Sequence, residues 1–500
     1  MVYFRPYYFI SMKIADSLKR EFLRDKWFYG LMIFTVIILI VIRSFPYVLH
    51  GPFGFGYDTG IYKKTFEDMK SFLGVFDSQI YIFPAFLAYL FNLFHLPLGI
   101  LLYPAYILFS VLVAWPLYFL TKEFFGKIAG LIAVAIFTIS YVQVFASEFY
   151  FFKEMLGAVF LLFGFLYYVK RSTWFYLFAV LLLVTQLPQF LILAVGTGIS
   201  AIYNFKKDLS FNLKGIFIIV LYSLFLFTFA SQQLINAFGV VYGALTGTGG
   251  FDPHQSGSFI PLAEFLRREW LFFILGLGGF VANLRENKSF SLQVANIFLI
   301  VVVFFELFFE RRFIISMSLL LMPYAGYLLA AAYERLVKRH FAFKYVAVSV
   351  FVLGILGSTV YHYLTTYPAI NSQEKWAIEL IAAKDDSNYV MATSSYYAPW
   401  LYGFSGKITL APGIFVGVWT SDTWVKYMEG SNVDRAFLLI KIANEYGKFY
   451  VMEGTRQVYT RVDKVSPLIK RIYDVNGVRI YEVSPSSASY DSSSAVEESL

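Results

Sequence analysis

The chain has 500 residues, of which 58% are hydrophobic and 15% charged, and its mean hydropathy is +0.63. This balance describes a polytopic membrane protein. The net charge of +8 lies mostly in short loops, which excludes a nucleic-acid footprint, and the lack of cysteine excludes disulfides, thiolate metal sites and Cys nucleophiles.

Residues 1–27 form a cationic arm with Arg5, Lys13, Lys19, Arg20, Arg24 and Lys26, followed by an apolar run long enough to cross a bilayer. That pattern predicts a cytoplasmic arm and no cleavable signal peptide. Candidate spans, each about 20 mainly apolar residues, are 28–49, 99–120, 127–146, 153–169, 173–187, 189–204, 214–231, 270–284, 291–309, 313–333 and 343–363. A shorter run, 79–96, is interrupted by Pro84, Asn92 and His95. If it lies in the outer interface without crossing, Lys122, Lys127, Lys170, Arg171, Lys206, Lys207, Lys214, Arg285, Lys288, Arg335, Lys338, Arg339 and Lys344 all face the cytoplasm. Only Lys153, Arg267, Arg268, Arg311 and Arg312 then face outward in that stretch, and letting 79–96 cross would invert the bias. The expectation is an α-helical polytopic protein, with about eleven transmembrane helices and an interfacial helix in a membrane domain over 28–363.

The outer loops, 50–98 and 232–268 among them, collect the unusual residues. The first contains Gly54-Phe55-Gly56-Tyr57-Asp58-Thr59-Gly60-Ile61-Tyr62. A carboxylate held at the membrane surface by a small-residue loop is costly to position and useful for chemistry on lipid-borne substrates. Asp-Thr-Gly is equally ordinary turn chemistry. The next outer loop, 147–154, offers Glu148 and Glu154 as a second carboxylate, to orient an acceptor or bind a divalent cation. Glu154 also suits the first turn of a helix. Gln186 and Gln189 flank Pro188 at an outer turn, where a ligand contact and a plain polar turn are both open. His254 is either a substrate contact or a loop residue. Arg311, Arg312 and Lys153, on the side where the topology rule disfavours cations, suit a phosphate in the outer headgroup layer. Local ion pairing or snorkelling is the bland account of each.

Past residue 364 the composition changes. An amphipathic helix over Glu374–Lys384, strands at Tyr389–Met391 and Phe449–Met452, a helix over 434–447 and a hairpin through Asn476-Gly477 predict a small extracytoplasmic α/β domain, 364–483. The Ser-rich tail, 484–500, reads as disordered. Tyr396-Tyr397-Ala398-Pro399-Trp400-Leu401-Tyr402-Gly403 suits sugar stacking or packing onto the membrane part.

The order of these features carries a resemblance: a first span, an outer loop ending in Gly-Tyr-Asp-Thr-Gly-Ile-Tyr, an apolar Pro-containing segment, and a span closing on Thr121-Lys122-Glu123-Phe124-Phe125-Gly126-Lys127. With the later Phe-Glu-Arg-Arg-Phe and the outer C-terminal domain, the chain resembles the integral-membrane glycosyltransferases of the GT-C fold over roughly residues 20 to 483. These include protein mannosyltransferases, aminoarabinose transferases and oligosaccharyltransferases, and the C-terminal features are similar to those of archaeal members.

The resemblance implies inverting transfer of a sugar from a polyprenyl (dolichyl-type) phosphate to a lipid or protein acceptor at the outer face of the cell membrane. Asp58 falls where the family places its first-loop catalytic carboxylate, Glu148 where a further acid is often found, and Arg311 and Arg312 where a basic residue meets the lipid phosphate, with Lys153 the further candidate for that phosphate. Tyr57, Tyr62, Glu154 and His254 are the candidate substrate contacts. The resemblance fixes no cofactor and leaves a divalent cation open. Trp400-Leu401-Tyr402-Gly403 lacks the acid of the oligosaccharyltransferase Trp-Trp-Asp-Tyr-Gly motif, which favours a monosaccharide donor. The competing readings are a flippase of lipid-linked sugars and a membrane-anchored binding protein. Nearly charge-free span interiors argue against the first, and the number of spans argues against the second.

Overall fold

The computed structural model describes residues 26–54, 56–78, 81–204, 260–307, 310–339, 342–394, 396–411, 418–456 and 461–486, with isolated positions between 210 and 224. His254, the whole of the arm before Lys26, most of the span expected at 214–231 and all but the start of the Ser-rich tail lie outside them.

The membrane part is built from α1 (Lys26–Gly54), α2 (Thr59–Asp68), α3 (Ile82–Leu93), the long irregular helix α4 (Leu98–Phe125), α5 (Lys127–Ile139), α6 (Tyr141–Glu148), α7 (Phe152–Val169), α8 (Trp174–Thr185), α9 (Leu187–Tyr203), α10 (Leu262–Ala282), α11 (Phe290–Phe304), α12 (Glu310–Arg339) and α13 (Phe343–Thr365). Among the described residues, five helices are long and apolar enough to cross a membrane, or six with α5 and α6 taken as one bent span. The segment expected at 270–284 begins earlier, at Leu262, so its helix carries Glu264, Arg267, Arg268 and Glu269 at one end. Arg267 and Arg268 both pair with Glu264 there (2.6 and 2.7 Å), the bland account of those two cations.

α12 runs through the centre of the bundle, whereas α13 is almost wholly exposed along one side. Gly279 of α10 lets that helix touch the α12 backbone at Tyr324, and Gly326 of α12 does the same against Ala129 of α5. Such small-residue crossings replace the hydrophobic drive that lipid does not supply. Lys170 and Lys288 both converge on Glu123 (3.8 and 3.2 Å) at one end of the bundle.

α5 and α6 meet at a 52° bend after Ser140. A helix beginning inside the membrane exposes amides that need acceptors. Glu269 of α10, 2% exposed, supplies one, accepting from Ser140 Oγ (2.7 Å) and Val142 N (3.0 Å). Glu269→Ala is therefore expected to cost about 2–3 kcal/mol, read as a lower thermal midpoint in detergent, with Glu269→Gln costing less because its amide oxygen still accepts.

The C-terminal domain, the expected outer domain, comprises α14 (Ser372–Ala382), β1 (Tyr389–Ala392), α15 (Ala398–Phe404), β2 (Ile408–Leu410), α16 (Ser421–Glu429), α17 (Asn432–Tyr446), β3 (Phe449–Glu453), β4 (Ile469–Val475) and β5 (Val478–Val483). Its sheet has the order β2-β1-β3-β5-β4, with β1 parallel to both neighbours and β3-β5-β4 antiparallel. Strand alternation sends Tyr450 and Met452 to the face covered by α14 and α15, and Phe449 and Val451 to the face covered by α16 and α17. The Asn476-Gly477 turn has φ of 49° and 86°, the twist that its hairpin needs.

Candidate active site

Asp58 is the N-cap of α2 and lies at the end of a loop with little room for side chains. Gly56 has φ of 89°, and a Cβ there would lie 2.6 Å from Thr59 Oγ1 and 2.8 Å from Tyr150 Cβ. The Asp58 amide donates to the carbonyl of Phe149 (3.2 Å), tying the first outer loop to the turn between α6 and α7. An Asp that serves only its turn accepts from the amides of the following helix. The Asp58 side chain makes no such capping bond.

The α6–α7 turn depends on Tyr150, a buried non-glycine residue with φ of 66°, whose ring packs against Tyr106 and Tyr62 (4.2 and 5.5 Å between centroids). α7 then opens with Lys153 and Glu154. Glu154 is 3% exposed and its carboxylate accepts from Gln186 Nε2 (2.7 Å), while its carbonyl accepts from Gln189 Nε2 (3.1 Å). The Lys153 amide donates to the Tyr62 hydroxyl (3.3 Å), and its ammonium lies 4.7 Å from the centre of the Tyr81 ring. Tyr81 is itself held at φ of 72°, a strain that surrounding structure must sustain. Arg312, in the first turn of α12, is within electrostatic reach of Asp58, Lys153 and Tyr81.

Four charged groups from three separate stretches of chain thus share one small volume: Asp58 and Glu154 against Lys153 and Arg312. Burial pushes the Asp58 carboxyl up to about 7, and the Glu154 charge pushes in the same direction, against the pull of Lys153 and Arg312. Asp58, Lys153 and Arg312 are half-buried, and Glu154 is buried at 3% exposure. The amide oxygens of Gln186 and Gln189, whose nitrogens hold Glu154, are buried with no protein donor. Gly157 makes room for both: a Cβ there would collide with Gln189 Oε1 and lie 2.9 Å from Gln186 Cβ. Gly157→Ala is expected to lower stability by about 1–3 kcal/mol, checked by thermal melting in detergent.

Tyr57 packs on Phe149, Tyr396 and Trp400 (5.6–6.3 Å between centroids) and so joins the site to the outer domain. Tyr62 is 2% exposed, because its face of α2 turns inward onto Phe66, Tyr150 and Phe152. It positions Lys153 instead of presenting a surface to a substrate. Glu148 turns away toward Thr366 Oγ1 (3.1 Å), in an apolar groove of about 190 Å³ between α1 and α13 lined also by Phe45, Pro46 and His362. The acid whose charge reaches Asp58 is Glu154. Arg311 is the half-buried neighbour of Arg312. Trp400 and Tyr397 are both fully buried, so the Tyr-Tyr-Ala-Pro-Trp run packs the outer domain onto the membrane part. Sequence reading missed Tyr81, whose role needs the fold, and Arg43, 1% exposed beneath Phe137 and within reach of Glu148. The signal for Arg43 was available, since it lies inside an otherwise uncharged apolar run.

No protein-family model and no curated protein matches the chain. Solved structures do. The chain is similar to the archaeal oligosaccharyltransferase AglB from Archaeoglobus fulgidus in complex with an inhibitory peptide and a dolichol-phosphate, at 12% identity and a TM-score of 0.57, over 86% of this chain and 70% of that one. The same enzyme tethered to an acceptor peptide containing the NVT sequon matches at 12% identity and 0.57, over 87% and 70%. Its complex with Zn and sulfate matches at 13% and 0.53, over 84% and 67%. The fold is the GT-C fold of these enzymes, and it extends over most of the chain.

Proposed function

We propose that this protein is a GT-C-type glycosyltransferase that moves a sugar from a polyprenyl-phosphate donor to a lipid or protein acceptor at the outer face of the cell membrane. The observation that carries this is that a second acid and two cations, from two other stretches of chain, lie within electrostatic reach of the half-buried Asp58. Similar folds were solved with a dolichol-phosphate and with an acceptor peptide, which supports a lipid-linked donor. The N-terminus is cytoplasmic and the α/β domain extracytoplasmic, a reading supported by the convergence of Lys170 and Lys288 on Glu123.

Asp58 accepts the proton of an acceptor hydroxyl, whose oxygen attacks the anomeric carbon from the face opposite the phosphate. The bond from that carbon to the phosphate oxygen breaks with its electron pair, giving polyprenyl phosphate and an inverted product. Arg312 and Lys153 stabilise the charge gathering on that phosphate, in a setting where low dielectric strengthens each contact. With Trp400 buried against Tyr57 and no acid in Trp400-Leu401-Tyr402-Gly403, a peptide sequon is the less favoured acceptor, and the donor is read as a hexosyl or pentosyl monophosphate.

One structure of this fold holds Zn, but the residues here do not fit a divalent ion. Among the described residues no three His, Asp or Glu side chains gather to hold a metal, and Lys153 and Arg312 share the space beside the two acids.

The test is to incubate purified protein with a panel of polyprenyl-phosphate sugars and analyse glycolipid and protein products by mass. Transfer from at least one donor is expected. A panel returned unchanged, with labelled lipid-linked sugar crossing vesicle membranes instead, would replace this reading by the flippase.

A further inference from the structure

We propose that Lys153 and Arg312 are the resident cations of this site, and that they exclude a divalent metal ion from the carboxylates of Asp58 and Glu154. Two basic side chains, Lys153 and Arg312, stand within electrostatic reach of the acids. A divalent ion placed against the acids would sit beside two fixed cations in a poorly screening environment, so its attraction to the carboxylates is offset by repulsion.

The donor set argues the same way. Hard divalent cations take six or more oxygen ligands. Glu154 is already engaged by Gln186 Nε2 and is 3% exposed, which leaves little of that carboxylate for a metal. Lys153, in contrast, is built in. Its amide is fixed by Tyr62 and its ammonium lies over Tyr81, which is held in a strained conformation beside it. A lysine merely snorkelling to lipid headgroups needs neither partner. The exclusion belongs to the resting protein, whatever sugar or acceptor the site takes.

The experiment is Mn²⁺ titration of the full chain in detergent, read by electron paramagnetic resonance of the free ion, on wild type, Asp58→Asn, Lys153→Met and Lys153→Met with Asp58→Asn. Methionine keeps the apolar stem and removes the ammonium. Wild type is expected to bind no stoichiometric Mn²⁺, Lys153→Met to bind one ion at least about tenfold more tightly, and the double variant to lose it. Stoichiometric binding by wild type that Asp58→Asn abolishes would overturn the proposal. So would a folded Lys153→Met that gains no binding, because Lys153 would then not be what keeps the ion out. If Lys153→Met does not fold, Lys153→Gln takes its place under the same two outcomes. Wild-type binding is measured without substrate, so a failure of the sugar-transfer reading leaves this result standing, and the reverse also holds.

Discussion

Asp58→Asn is expected to reduce sugar transfer by about a hundred- to ten-thousand-fold with the protein still folded. Asn keeps the shape and the amide that donates to Phe149, so the loop is preserved while the proton acceptor is lost. The loss should fall on kcat, with donor affinity little changed, because the substitution leaves Lys153 and Arg312 in place for the phosphate. Wild-type transfer should fall as pH drops below about 7, where burial and Glu154 set the Asp58 carboxyl and a protonated base is useless. The stability effect has the opposite sign. Because the folded protein holds this carboxyl well above its ordinary range, the folded state prefers it protonated. A stability penalty therefore grows as pH rises from that range to about 7 and is complete above it. The Asn variant carries no such penalty, so its thermal midpoint should match wild type at about pH 4 and exceed it at about pH 8. A variant that loses transfer but melts below wild type at the higher pH would show that the carboxylate is a structural partner of Lys153 and not a base.

Some of the expected spans were legible because a continuous apolar run needs no tertiary information: 153–169 and 343–363 appear as Phe152–Val169 and Phe343–Thr365, whereas the segments at 173–187, 189–204 and 291–309 form shorter apolar helices. The hairpin at Asn476-Gly477 was legible because its turn chemistry is local. The site was legible only in part. Asp58, Lys153 and Arg312 stand out from sequence as polar residues where the membrane disfavours them. Which acid accompanies Asp58 depends on the left-handed turn at Tyr150, which separates Glu148 from Glu154 and sends the first toward Thr366. No spacing rule encodes that. α15, β2 and α16 were missed for a related reason: each is short, and Ala398–Phe404 is fixed by contact with α2 more than by any helical period.

Gly60→Val is the second large effect expected, with transfer and stability lost together. Gly60 lies two residues after Asp58 on α2, where that helix crosses α15 of the outer domain backbone to backbone. A Cβ at Gly60 would fall within the carbonyl of Pro399, and a Cβ at Gly403 within the backbone of Gly60, so neither can yield by rotating a side chain. Lys63 reinforces the crossing by donating to the Gly403 carbonyl (2.9 Å) with its ammonium 5.2 Å from the centre of the Phe404 ring. Tyr57 adds its packing on Tyr396 and Trp400 from the other side of Asp58. The outer domain is therefore the clamp that holds the first turn of α2, and with it the Asp58 loop. Forcing the two backbones apart should cost about 3 kcal/mol, the upper part of the overpacking range. It should also release the outer domain enough for protease to cut between α13 and α14. Gly403→Val should behave alike, and combining the two should add little, since either one opens the same contact. Asp58→Asn removes chemistry from an intact clamp, whereas Gly60→Val removes the clamp from intact chemistry. A Gly60→Val protein that resists protease and transfers sugar at the wild-type rate would mean that Asp58 is positioned by Phe149 and Gly56 alone.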